Sequence, residues 1–151
     1  MPRAPRSPRP FVVRRSAMHG KGAFAARPID DGERIIEYAG ERITPDEMHR
    51  RYPGDTPHTF CFLSDDDVVV DAGVNGNAAR WINHGCDPNC DVVVDQGRLW
   101  IEAIRDIAAG EELCYDYALT LAERHTPAAK RRFPCHCGSP RCRGTMLARK
   151  R

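Results

Sequence analysis

Seven cysteines stand among the 151 residues, and three of them fall in one octapeptide, Cys135-His136-Cys137-Gly138-Ser139-Pro140-Arg141-Cys142. Zinc takes four thiolate or imidazole ligands in a tetrahedron, and Gly- and Pro-rich turns let closely spaced cysteines converge on one ion. The odd cysteine count, and an N-terminus (MPRAPRSPRP) without the apolar stretch of a secretory signal, argue against a disulfide framework. A structural site needs a fourth ligand from outside the octapeptide. His136 lies between two ligands and would strain to reach the same ion. Cys86 or Cys90 is the better donor, and either would pin the C-terminus onto the middle of the chain. The alternative, reduced cysteines in a surface loop, would leave an exposed thiol cluster, which is a chemical liability.

Four further segments carry groups suited to binding or transfer chemistry: His19-Gly20-Lys21-Gly22, Tyr38-Ala39-Gly40, Arg80-Trp81-Ile82-Asn83-His84-Gly85-Cys86-Asp87-Pro88-Asn89-Cys90, and Glu111-Glu112-Leu113-Cys114-Tyr115-Asp116-Tyr117. Each alone has a plain explanation as a turn or a packed aromatic. Yet three of the four tyrosines in the chain fall inside these segments.

The elements that must position these groups are short. Gly20-x-Gly22 predicts a tight turn between strands. Arg34 to Ile43 reads as β-rich, broken at Gly40. Thr44-Pro45-Asp46-Glu47 is a helix start with a capping box, and that helix cannot pass Pro53-Gly54. Thr59–Leu63 with Asp67–Asp71, and Asp91–Val94 with Arg98–Ile104 around Gln96-Gly97, predict two hairpins. Glu112–Tyr117 predicts a further strand, and 118–134 a short helix limited by Pro127. Many short strands and frequent glycines imply a mainly β fold. Gly20-x-Gly22 lacks the third glycine and the long helix of a dinucleotide fingerprint. No apolar run is long enough for a membrane span.

The net charge of +2 conceals a segregation. Residues 1–15 hold five arginines and no acid; residues 130–151 hold eight lysines and arginines and no acid. The body between keeps 10 basic and 21 acidic residues, a net of −11. Such a field draws cationic partners to the middle and anionic ones to the ends.

Taken in order, the segments resemble the SET-domain family of protein lysine methyltransferases: a GxG turn, a YxG, RWINHGCDPNC for the family's RFxNHSCxPN, ELCYDY for ELxYDY, then a CxCx4CRG post-SET tail. The resemblance covers about residues 11–147. It implies a β-clip-like fold of small curved sheets with a knot-like substructure, few short helices and a zinc-bound C-terminal segment. The implied organisation is a disordered basic tail at 1–10, the SET domain at 11–118, a connecting segment at 119–134, the post-SET zinc segment at 135–147 and a basic tail at 148–151.

The same resemblance implies S-adenosylmethionine as cofactor, with His19, Lys21, Gly22, Phe60, Arg80, Asn83, His84, Tyr117 and Leu147 around it. Glycine at position 22 would permit close approach of the backbone to the cofactor. Tyr117 matches the catalytic tyrosine, Tyr38 would line the lysine channel with Phe60 as an apolar wall, and Met146 and Leu147 would cover the cofactor. Tyr115 occupies the Phe/Tyr position that tunes product multiplicity; tyrosine there implies mono- or dimethylation. One structural Zn2+ would be held by Cys86, Cys135, Cys137 and Cys142, with Cys90 a packing residue or second choice. Gly85 replaces the usual serine, which leaves the local turn open, and Trp81 replaces the usual phenylalanine as a packing residue.

The expected substrate is a Lys/Arg-rich segment, such as a histone tail or a basic chromosomal or ribosomal protein, drawn to the acidic body. The basic termini would contact nucleic acid only as sequence-independent charge. A monomer with no membrane partner is expected. The expected location is intracellular: cytoplasm or nucleoid of a bacterium, chromatin of a eukaryote, or a host reached by secretion. The competing reading is a SET-like, zinc-stabilised binding module without activity, against which the intact Tyr38, Asn83, His84 and Tyr117 count. A zinc-dependent nucleic-acid binder fits the acidic body poorly.

Overall fold

The structure is a computed structural model that describes residues 9–18, 20–54, 60–64, 67–121 and 124–149. His19 and most of the expected N-terminal tail lie outside these residues, as do Thr59 and the tip of the first hairpin. The ten strands and two helices run β1 (Phe11–Arg15), β2 (Lys21–Ala25), β3 (Arg34–Glu37), β4 (Glu41–Ile43), α1 (Pro45–Arg51), β5 (Cys61–Leu63), β6 (Val69–Asp71), β7 (Asn83–His84), β8 (Cys90–Asp95), β9 (Arg98–Ala103), β10 (Cys114–Tyr115) and α2 (Pro127–Arg132). A 3₁₀ turn, Ala78–Trp81, precedes β7. The mainly β expectation holds, with the sheets small: β1-β2, β3-β9-β8, β4-β6-β5 and the two-stranded β10-β7.

Local chemistry explains the elements. The β8–β9 hairpin turns at Gln96 and Gly97, both at positive φ, the geometry whose twist matches the flanking strands. Thr44 caps α1 by accepting from Glu47 N–H at 3.1 Å, with Pro45 in the first turn. The Glu47 carboxylate binds Arg50 and Arg51 one turn on, which replaces the reciprocal half of the expected capping box. Pro127 does not shorten α2; it starts it, behind a Thr126 cap that accepts from Ala129 N–H. A proline at that position lacks only an N–H that would be unpaired anyway. The strand expected over Glu112–Tyr117 is confined to Cys114–Tyr115.

The main core gathers Phe11, Ile29, Ile82, Leu99, Ile101, Ile107, Leu113 and Tyr115 from six stretches of chain. A second, smaller core holds Leu121, Ala129, Phe133 and Leu147 and folds the C-terminal segment back on itself. The parallel β7–β10 pairing aligns Asn83 with Cys114 and His84 with Tyr115. It lays the third and fourth chemistry-bearing segments side by side. Gly40 is equally constrained: a Cβ there would lie 2.4 Å from the Asp71 carbonyl, so only glycine lets the chain leaving β3 pass β6. No helix among the described residues is long and apolar enough to cross a membrane.

Candidate active site and metal centre

The Sγ atoms of Cys86, Cys135, Cys137 and Cys142 all lie within 4.8 Å of one another, and Cys86 and Cys135 are 3.7 Å apart. A zinc–sulfur bond of about 2.3 Å sets a tetrahedral edge of about 3.8 Å, so this donor set fits one four-thiolate ion. Of Cys86 and Cys90, it is Cys86 that lies in the cluster. Cys90 is buried in the main core, where burial pushes its thiol up to about 12. His136 is exposed and outside the cluster.

The cluster is dressed by N–H donors, as thiolate ligands require. Arg143 N–H reaches Cys86 Sγ at 3.3 Å, and Gly144 N–H reaches Cys142 Sγ at 3.4 Å. Burial opposes ionisation of Cys137, yet backbone donors at Cys86 and Ser139 and its neighbouring thiols bring it down to about 7. Four thiolates fill the coordination shell, so such a metal would hold structure and leave no open position for substrate.

His84 joins this centre to the tyrosines. Its Nδ1 accepts from Tyr117 N–H at 3.0 Å, which puts its proton on Nε2, 3.4 Å from Cys86 Sγ. Burial lowers its pKa to about 4, against the pull of the Asp116 carboxylate at 3.6 Å, so the ring is neutral. Asp116 in turn takes two bonds from Arg143, at 2.8 and 3.1 Å.

Tyr38, Tyr115 and Tyr117 come together with Phe62 between the first two. Ring centroids are 5.8 Å apart for Tyr38–Phe62, 6.4 Å for Phe62–Tyr115 and 4.8 Å for Tyr115–Tyr117. Tyr38 Oη donates to the Phe60 carbonyl at 2.8 Å, and Tyr117 Oη donates to the Ile82 carbonyl at 2.5 Å. Each donated proton leaves the hydroxyl's lone pairs as what it presents to a ligand. Burial raises the pKa of all three phenols, so they stay protonated.

The second half of the site surrounds the GxG turn. Arg80 stacks 4.7 Å from the Trp81 ring and 5.7 Å from Phe60, and Lys21 Nζ lies 5.0 Å from Trp81 on the same aromatic group. Phe60 and Trp81 meet edge to face at 5.5 Å. An open groove of about 510 Å³ adjoins them, lined by Val13, Arg14, Arg15, Gly20, Lys21 and Trp81. Asn83 Nδ2 donates to the Lys21 carbonyl at 2.9 Å and to Glu112 Oε2 at 3.0 Å. Cationic and aromatic groups beside a carboxylate and an amide suit a zwitterionic ligand with a planar ring.

Two features differ from the sequence reading in their physical cause. A Cβ on Gly22 would lie 2.5 Å from Glu112 Oε2 and 3.0 Å from Ser16 Cβ, so a side chain there would displace the Glu112 carboxylate from its bonds to Ser16 and Asn83. Leu147 is 1% exposed and packed with Leu121, Ala129 and Phe133, beside a cavity of about 750 Å³ that also meets Arg124, His125 and Arg143. Its side chain packs in that small core, and Met146 packs against the same core. Gly85 is explained as well: a Cβ there would lie 2.6 Å from Cys114 Sγ, so the missing serine reflects the cysteine across the β7–β10 pair.

Sequence reasoning gave no role to Glu112, Asn89, Asp71 or Asp116. Asn89 ties the segments together, donating to the Glu112 carbonyl at 2.9 Å and accepting from Cys114 N–H at 2.9 Å. Asp71 is fully buried and accepts from Arg51, Tyr52 and Gly73 N–H, anchoring α1 to β6. Glu112 and Asn89 stand inside the quoted motifs, which was their signal; Asp71 carries none beyond its place at a strand end.

The SET domain family profile matches residues 20–118, which span the GxG turn, the β7–β10 pair and the tyrosines. The chain belongs to the SET-domain family. It is 44% identical over 138 residues to a human protein named histone-lysine N-methyltransferase 2B, covering 87% of this chain and 5% of that protein. It is 42% identical over 146 residues to an H3 lysine-4-specific histone-lysine N-methyltransferase of Eremothecium gossypii, covering 91% and 15%. It thus spans a small fraction of these curated relatives. A chain in the crystal structure of the Chaetomium thermophilum polycomb repressive complex 2 superposes with a TM-score of 0.65 at 37% identity, over 74% of this SET-domain chain and 16% of that one.

Proposed function

We propose that this SET domain transfers methyl groups from S-adenosylmethionine to a lysine side chain of a histone-like basic protein. The observation that carries the reading is that Asn83 bonds the Lys21 carbonyl of the GxG turn while its neighbours Ile82 and His84 hold Tyr117, whose ring packs on Tyr115. The relatives' names, including one specific for histone H3 lysine 4, supply the substrate class, and chromatin is the corresponding location.

The bound cofactor would supply an electrophilic sulfonium methyl. The chain's own residues do the rest. Arg80 and Lys21 sit where they can hold a carboxylate, and Asn83 and His84 are fixed by their own hydrogen bonds before any ligand arrives. A lysine with an ordinary pKa near 10.4 must shed its proton to attack. The aromatic walls of Tyr38, Phe62 and Tyr115 disfavour the ammonium form, and water carries the proton away. Tyr117 Oη, with its proton given to Ile82, offers lone pairs to the polarised methyl hydrogens. Alignment and preorganised dipoles provide most of the rate. Tyr115 fills the channel, which limits the product to mono- or dimethyl-lysine.

Cys86, Cys135, Cys137 and Cys142 hold one zinc that folds the C-terminal segment against β7. The protein acts as a monomer, and its basic termini add salt-sensitive, sequence-independent contact with nucleic acid.

Radiolabelled transfer to histones, with mass spectrometry of the product, tests the reading. Labelled mono- and dimethyl-lysine are expected, with Tyr115→Phe shifting the product toward trimethyl-lysine. Absence of transfer from zinc-replete protein that binds the cofactor defeats it in favour of a binding module.

A further inference from the structure

The cavity of about 750 Å³ beside Leu147 shares no lining residue with the groove at the GxG turn or with the three tyrosines. One wall is residues 124–127 with Lys130 of α2, and the other comes from the stretch 143–149. Its lining carries five basic residues, Arg124, His125, Lys130, Arg143 and Arg149, and no acidic one.

Two of the five are already engaged. Arg143 gives its terminal nitrogens to Asp116 at 2.8 and 3.1 Å. His125 braces the two walls: its Nδ1 donates to the Ala148 carbonyl at 2.8 Å, and its Nε2 accepts from Leu121 N–H at 3.1 Å. Both ring nitrogens are thereby committed to main chain. Leu119 adds a second brace, since its N–H donates to the Met146 carbonyl and its carbonyl accepts from Ala148 N–H. The walls are fixed before any ligand arrives.

Arg124, Lys130 and Arg149 are exposed and form no ion pair among the described residues. Three such cations in one cleft focus a positive potential into it, which favours an anion. The volume falls in the range of about 300–1,000 Å³ that holds a whole ligand and exceeds what one small ion needs. No acidic residue follows Glu123 in the sequence, whereas nine lysines and arginines do. Charge therefore continues along the chain from the cavity residues through α2 to the C-terminus, which suits a polymer with a charge on every unit. No aromatic side chain lines the cavity to stack a base, so the contact is with sugar and phosphate.

We propose that this cavity is a nucleic-acid backbone site, in which Arg124, Lys130 and Arg149 hold phosphates across a cleft braced by His125. The proposal deepens the nucleic-acid contact put forward above and rests on it, moving that contact from the termini to a built cleft.

The test is fluorescence anisotropy of a labelled oligothymidylate titrated with zinc-loaded protein over a range of salt. The variant Arg124→Gln/Lys130→Gln/Arg149→Gln is expected to raise Kd about 10-fold or more at low salt. It should also flatten the slope of log Kd against log salt by about 2, at about 0.7 per lost phosphate contact to a single strand. Lys130→Gln alone should flatten it by about 0.7. All three side chains are exposed, so the melting temperature should stay that of the parent. Parent-like Kd and slope in both variants overturn the cavity site; the nucleic-acid reading then survives if Arg3→Gln/Arg6→Gln/Arg9→Gln weakens binding. Failure of the parent to bind the oligonucleotide overturns both. Displacement of the oligonucleotide by an equal concentration of polyglutamate of matched charge overturns the choice of nucleic acid in favour of an acidic protein. Displacement by S-adenosylhomocysteine overturns the proposal by giving the cavity to the cofactor.

Discussion

His84 accepts the backbone N–H of Tyr117 at 3.0 Å while its other nitrogen faces Cys86 Sγ at 3.4 Å. One neutral imidazole thus spans from the four-cysteine cluster to Tyr117. The cysteine cluster and the tyrosine cluster share a wall.

Removal of the metal should therefore reach the active site. Treatment with a strong chelator is expected to release about one zinc per chain by atomic absorption, the content of one four-thiolate site. It should also lower the melting temperature and weaken S-adenosylhomocysteine binding. Cys86→Ser should do the same in one step, while Cys90→Ser, in the core, should retain zinc at full stoichiometry.

Tyr117→Phe removes the hydroxyl and its bond to the Ile82 carbonyl but leaves the ring against Tyr115 and His84. The expected loss in kcat is on the order of 100-fold, typical of one removed transition-state contact. The calorimetric Kd for S-adenosylhomocysteine should stay within about 2-fold, because the ring supplies most of the packing.

All four tyrosines of the chain have raised pKa values, in each case chiefly through burial. A phenol whose folded pKa exceeds its unfolded value stabilises the fold fully below the unfolded pKa near 10. That contribution is lost as pH rises toward the folded value. Absorbance at the tyrosinate band should show little ionisation up to about pH 10. Above that, ionisation should coincide with loss of structure by circular dichroism. Stepwise ionisation of native protein below pH 10 would contradict the packing described.

Gly85 and Cys114 should behave as a pair. Gly85→Ser places a Cβ 2.6 Å from Cys114 Sγ and 3.0 Å from its Cβ, with backbone pairing on both sides. The cost expected is about 1–3 kcal/mol, the range for overpacking. Gly85→Ser with Cys114→Ala should recover most of it in urea melts; additive losses would show that the two sites are independent.

Much of this was legible in the chain because the chemistry is carried by local motifs. Cys135, Cys137 and Cys142 announce a metal by spacing alone, and Thr44-Pro45 and Gln96-Gly97 fix a helix start and a turn through their own backbone preferences. The fourth ligand was not legible from spacing, since Cys86 and Cys90 are equally distant in that sense and only packing separates them. The reasons for Gly22 and Gly85 were hidden for a similar cause. Each glycine answers to a side chain from the fourth segment, Glu112 or Cys114. The family pattern assigns Leu147 to the cofactor; its packing in the small core beside a cavity is visible only in the assembled fold. In the sequence Pro127 looks like a limit because proline breaks helix interiors; behind a Thr126 cap it begins one.

The parallel pairing of β7 with β10 has a consequence for biosynthesis. Its two strands are separated by the whole β8–β9 hairpin, and the thiol cluster draws on Cys86 and Cys142 together. As the chain leaves the ribosome N-terminus first, the early strands can pair, but the cysteine cluster stays open until Cys142 emerges. Non-local closure of this kind is slow. A nascent chain arrested before Cys142 should thus carry every tyrosine of the site and still be unable to build it.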